Sequence, residues 1–238
     1  MEKYMTISEF EKLLGLSSPP VAIGLLDDAP EGVRRWEGGA APAGCSFWRL
    51  AMRGGAFYTV PADHWNCAVG THTHALGEGA PEGQLMDTMK LMVSSGYLRE
   101  SEAPGIPVLD RAPKYVAYAP LGEAAFRADV VILAAKPAAA MLVYEAALRA
   151  GLAKGPVNGL GRPACAVVPF ALGQKQPALS FGCKGNRTFT GLPDEEMYLC
   201  VPAADWNKLL SALAEIGEAN CAMGEYYAQR RSLFPILN

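Results

Sequence analysis

Histidine, paired carboxylates and long apolar runs are scarce in this chain, and each scarcity removes a class of function. Three histidines occur among 238 residues, and the net charge is −3. The longest apolar stretch, Val130 to Val143, is broken by Lys136 and Pro137. A bilayer-spanning helix needs ~20 apolar residues, so no membrane segment is expected. The opening MEKYMTISEF lacks the apolar centre of a secretory signal, and the chain is expected to be cytoplasmic. No basic run or basic–aromatic stripe appears, which sets DNA and RNA aside as partners. GxSxG, P-loop and kinase signatures are missing as well. Carboxylates are scattered: Asp194-Glu195-Glu196 follows a proline and reads as the solvated start of a helix, with no pair placed for acid–base work.

What is present is enough apolar material for a sizeable core. Half the residues are hydrophobic and 19% are charged, the balance of an ordinary globular protein. Thr6 and Glu9 fit a capping box ahead of a short helix that Gly15 stops. Apolar runs over 20–26, 56–60, 115–119, 129–135 and 197–201 read as strands. Helical patterns cover 46–52, a segment opening at Pro81, 137–150, 203–216 and 218–233. In the second of these, Leu85, Met86, Met89, Met92 and Val93 make a stripe that reads as core packing. Strands interleaved with helices predict an α/β or α+β fold, a mixed sheet with flanking helices. The chain reads as one domain over 1–238, with two pseudo-symmetric halves around a cysteine-lined site left open, divided as about 20–150 and 151–238.

That repeat rests on the cysteines. Cys45 opens an apolar helix-like run, then a polar turn at 53–55, a short strand-like run and Cys67; Cys165 opens the same succession through 173–175 to Cys183. Each second cysteine is followed by glycines, Gly70 and Gly77 in one case and Gly185 and Gly191 in the other. Cys200 and Cys221 fall outside the pattern and read as ordinary buried thiols.

Three segments could carry chemistry. In the first, His64, His72 and His74 lie beside Cys67, and imidazole and thiolate are the ligands zinc, iron and copper prefer. The spacing fits no standard zinc pattern, so a loop of solvated histidines is the alternative. The second is Gly182-Cys183-Lys184-Gly185-Asn186-Arg187, the most pointed motif. A cysteine between glycines is sterically open, and Lys184 and Arg187 would stabilise its thiolate or offset the charge of a thiolate-bound cluster. The third, Gly159-Leu160-Gly161-Arg162, is too short for a phosphate-binding loop and reads as a turn.

In order along nearly the whole chain, these segments resemble an uncharacterised archaeal and bacterial family, domain of unknown function 169. The matching stretches are Pro20 to Ile23, Cys45 with its apolar run, Phe57-Tyr58 and the Cys67 loop to Gly77, Pro120-Leu121, Asp129 to Ile132, Pro137, Gly161-Arg162 to Cys165, and Gly182 to Arg187 with Gly191-Leu192. The resemblance implies a shared set of cysteines at Cys45, Cys67, Cys165 and Cys183 and no activity. His72 and His74 lie outside the family pattern, which favours thiolate over histidine ligation of any metal.

Three functions are open on these residues. The first is a metal-binding protein carrying an iron–sulfur cluster, of the 4Fe–4S type, or zinc. Cys45, Cys67, Cys165 and Cys183 would be ligands and Lys184 and Arg187 would tune the centre; a small-molecule ligand or redox partner would follow. The second is a cofactor-free enzyme or sulfur carrier with Cys183 as nucleophile. The third is a haem or other flat-cofactor binder whose pocket is lined by Trp48, Phe57, Tyr58 and Trp65. Homo-oligomerisation is left open by the sequence.

Overall fold

A computed structural model describes residues 5–155 and 159–231. Eight strands form one sheet: β1 (Val21–Leu26), β2 (Arg34–Arg35), β3 (Phe57–Thr59), β4 (Tyr115–Pro120), β5 (Val130–Ala135), β6 (Gly159–Leu160), β7 (Ala178–Ser180) and β8 (Met197–Pro202). Across the sheet the order is β2-β3-β4-β1-β5-β8-β7-β6. β2–β3 and β6–β7 are parallel and all other neighbours antiparallel. The order therefore reads the same from either edge if each of the first four strands is matched to the strand four places later.

The register carries the same match. Val21 pairs with Pro120 and Ile23 with Tyr118 in the first half; Val130 pairs with Pro202 and Ile132 with Cys200 in the second. The Leu121 N–H donates to Pro20 O at 2.8 Å, and the Ala203 N–H donates to Asp129 O at 2.9 Å. The central β1–β5 pair, with Ala22 opposite Val131, lies on the pseudo-two-fold axis. The sheet thus divides between β4 and β5, whereas the cysteine alignment alone puts the break near 151.

Alternation along the central strands fills both faces. Val130, Ile132 and Ala134 join one core with the helices α2 (Ser46–Met52) and α6 (Val167–Gln174). Val131, Leu133 and Ala135 join a second core with α1 (Ile7–Leu14), α5 (Pro137–Arg149) and α8 (Trp206–Arg231). The fold is α/β, a mixed sheet flanked by helices on both sides. Three short helices complete the secondary structure used below: α3 (Ala68–Thr73), α4 (Gln84–Ser94) and α7 (Lys184–Thr190).

Four local expectations need correction. Residues 206–231 form a single helix rather than two. Gly217 sits inside it because a Cβ there would come within 3.0 Å of Leu13 Cδ2; the glycine lets α1 approach and does not stop the helix. The last residues of the expected second helix, 232 and 233, lie outside the described residues. The helix expected at Pro81 starts at Gln84 behind Gly83. Its Met-rich stripe is not core, since α4 has no buried residue and Met86 and Leu91 are 60% and 68% exposed. Periodicity reports that a helix has an apolar side, not what that side faces. Finally, 194–196 is no helix start, and Glu196 is buried, with Oε1 accepting from the Ser17 hydroxyl at 2.7 Å.

Candidate functional site

Equivalent elements of the two halves present the cysteines. Cys45 precedes α2, and Cys165 lies in the single turn Ala164–Ala166 that leads into α6. Cys67 is the N-cap of α3 and Cys183 the N-cap of α7. Each pair stands at the same place in its half, one before the helix that packs on the sheet, the other after the short strand that follows. All four line one cavity of about 310 Å³. Thr88 and Met92 of α4 close its outer side, which is where part of the supposed core stripe goes.

Burial holds three of the thiols, Cys45, Cys67 and Cys165, as weak acids. Burial pushes Cys45 up to about 12, and the nearby Cys67 and Cys183 add to the rise while the Asn186 amide opposes it. Burial also raises Cys67, and the nearby backbone N–H groups of Gly44 and Gly70 oppose that rise. A Cβ on Gly70 would stand 2.8 Å from Cys67 Sγ, so only glycine admits that contact. Cys165 is raised most by burial and next by Cys67, with the Thr73 hydroxyl donating to its sulfur at 3.3 Å. Cys183 Sγ accepts from the Asn186 N–H at 3.4 Å. Each thiolate therefore makes the next harder to form, a repulsion that a bound cation relieves. As placed, however, no group of three or more His, Cys, Asp or Glu side chains is arranged to hold a metal ion among the described residues.

The residues flanking Cys183 divide in role. Lys184 is exposed and lines the cavity; its N–H donates to Tyr97 Oη at 3.2 Å. Arg187 instead clamps the following loop. Its guanidinium donates to Pro193 O and Phe181 O, both at 2.7 Å, and to Glu196 O at 3.0 Å. Those donors are directed at carbonyls, which makes Arg187 a builder of the loop.

The histidines separate. His64 is buried, with its Nε2 2.8 Å from Thr59 Oγ1, and burial followed by His74 and Arg35 lowers it to about 3. His74 is buried with Nδ1 3.2 Å from Gly70 O, and burial lowers it to about 4. His72 alone is exposed, on an outer groove beside α4. The picture of a solvated histidine loop holds only for His72, and none of the three lines the cysteine cavity. Nor do Trp48, Phe57, Tyr58 and Trp65 form a pocket there. Trp48 packs edge-on against Tyr198 at 5.1 Å and Phe57 lies 5.4 Å from Tyr118, both within the core. Cys200 is buried in β8 and Cys221 is exposed on α8.

Three residues of the site were not singled out by the sequence. Asn186 lines the cavity at 1% exposure, inside a motif read for its cysteine and its cations. Arg162, in the segment read as a turn, lies 4.9 Å over the Tyr97 ring, and both line the cavity. Their long-range placement has no local signature.

Fold and site together define an α/β protein of two topologically matched halves with a thiol-lined cavity between them. The model of the family described as DUF169, uncharacterised ArCR, matches residues 9–212. The chain belongs to that family. It is also similar to an uncharacterised protein of Methanocaldococcus jannaschii, 24% identical over 212 residues that cover 85% of this chain and 89% of that one. No solved structure matches.

Proposed function

We propose that this protein is a cysteine-centred metal-binding protein whose cavity carries an iron–sulfur cluster, with Cys45, Cys67, Cys165 and Cys183 as the ligand candidates. One observation carries the reading: four thiols from equivalent positions of two halves line a single cavity. The N–H···S contact from Asn186 to Cys183 is the kind that tunes thiolates bound to iron. The cluster would supply electron transfer or an iron open to a small ligand. The chain's own part is to hold the sulfurs, keep water out behind α4, and place Lys184 beside a negatively charged centre. The present thiol spacing requires the sulfurs to draw together on loading. A soluble redox partner or small-molecule ligand in a reducing, cytoplasmic setting fits this reading. No helix among the described residues is long and apolar enough to cross a membrane.

A second reading has its own support. Cys183 and Lys184 line both the cavity and an outer groove, so that thiol can be reached from outside. Cofactor-free thiol chemistry would then use Cys183 as nucleophile.

The test is anaerobic purification followed by a visible spectrum and assays of iron, acid-labile sulfide and zinc. Broad absorption near ~400 nm with matching iron and sulfide supports the cluster. Cys67→Ala and Cys183→Ala should then lose metal and stability together. A colourless, metal-free protein overturns the metal reading and moves attention to the alkylation rate of Cys183.

A further inference from the structure

Charge of one sign lines the cysteine cavity. Arg162 and Lys184 are on its wall, and among the described residues no aspartate or glutamate is. Among the described residues Lys184 makes no ion pair. Arg162 reaches Glu102 at 3.6 Å, and that carboxylate already pairs with Arg99 at 2.9 Å. Two cations on a wall with no carboxylate among the described residues leave a field that favours an anion.

A second observation is independent of these surface groups. Asn186 is 1% exposed, lines the same cavity, and among the described residues has no hydrogen-bond partner on either Nδ2 or Oδ1. It lies near the Cys45 thiol and the Tyr198 hydroxyl without a well-formed bond to either. A buried polar group left unpaired costs ~1–3 kcal/mol, so such an amide calls for a partner beyond those the described residues supply. The remaining wall is largely apolar, including Met92, Leu98, Ile106 and Phe189.

We propose that the cavity binds a small organic acid: a monocarboxylate with a short apolar body. The carboxylate answers Arg162 and Lys184, the apolar body answers Met92, Leu98 and Ile106, and the Asn186 amide supplies a hydrogen bond. This deepens the proposed function and rests on it only in taking this cavity as the working site. The combination selects against both inorganic oxyanions, which leave the apolar wall uncovered, and neutral apolar molecules, which leave the cations unanswered.

The test is calorimetric titration of the full-length protein with butyrate, butyramide and inorganic phosphate, run on iron-loaded and chelator-treated samples with iron and sulfide assayed on each. Butyrate should bind and slow alkylation of Cys183, with butyramide and phosphate at least roughly tenfold weaker, the size of one charge-assisted hydrogen bond. Arg162→Gln combined with Lys184→Gln should remove the preference for butyrate over butyramide. Equal binding of butyrate and butyramide, equal binding of phosphate, or no binding of butyrate each overturns the proposal. Protein that never holds iron yet prefers butyrate removes the cluster and keeps the acid. Iron-loaded protein without that preference removes the acid and keeps the cluster.

Discussion

The two halves of the sheet follow one plan and differ most in what hangs between the third and fourth strand of each. In the first half, residues 60–114 separate β3 from β4 and include α3 and α4; in the second, 181–196 separate β7 from β8 and include only α7. The longer excursion supplies the outer wall of the cavity, and the shorter one supplies Cys183, Lys184 and Asn186. Shared strand register thus brings the thiols to one place, while the unequal excursions decide what surrounds them. The halves also differ in how they are filled. Aromatic rings pack the first, with Phe47 lying 5.6 Å from both Trp36 and Tyr118, and small aliphatic residues such as Val167 and Val168 pack the second. All three histidines belong to the first.

Core packing should show the widest gap between the halves. Phe47→Ala should cost about 4 kcal/mol in urea unfolding, because it opens a cavity among rings that have nowhere to collapse. Val167→Ala, in the corresponding helix, should cost about 2 kcal/mol, since it removes two methyl groups and leaves a small void. Equal losses would mean the two halves are packed alike despite their composition.

Acid should separate the halves next. His64 titrates at about 3 and His74 at about 4 in the folded protein. An unfolded imidazole titrates near ~6.5, so below that pH the unfolded chain takes up protons that the folded one refuses. Stability is intact above pH ~6.5 and falls as pH drops toward the folded values, by roughly 2 kcal/mol per histidine at pH ~5. Urea midpoints across that range should show the loss, His64→Gln should remove part of the slope, and hydrogen exchange should place the first opening in residues of the first half. A flat profile would contradict the burial of both imidazoles.

The smallest contrast lies within one motif. Arg187→Ala should cost about 2 kcal/mol, because three loop carbonyls, two of them part-buried, lose a charged donor. Lys184→Ala should change stability by less than ~0.5 kcal/mol, as expected for an exposed side chain without an ion pair. If the two variants are equally stable, Arg187 does not build the loop.

Much of this fold was legible beforehand. The capping box at Thr6 and Glu9 forms as written, with the Glu9 N–H donating to Thr6 Oγ1 at 3.2 Å. The central strands announce themselves as apolar runs because both faces of the sheet are covered. The site was legible in part. Glycines and cations around Cys183 marked the segment, but Arg187 turned inward to carbonyls and Asn186 turned out to be the buried polar member. An arginine beside a cysteine has one sequence signature whether it faces the sulfur or the backbone.

The sequence by itself determined the types of most of the longer elements, the family and the paired order of the four cysteines, because caps, periodicity and turn residues act over a few positions. Tertiary structure alone decided that α4 walls a cavity instead of filling the core, that His64 and His74 are shut away as neutral rings, and that Cys45, Cys67, Cys165 and Cys183 share one space. Those outcomes depend on sheet order and on what packs over each side chain, and both are set by contacts between residues far apart in the chain.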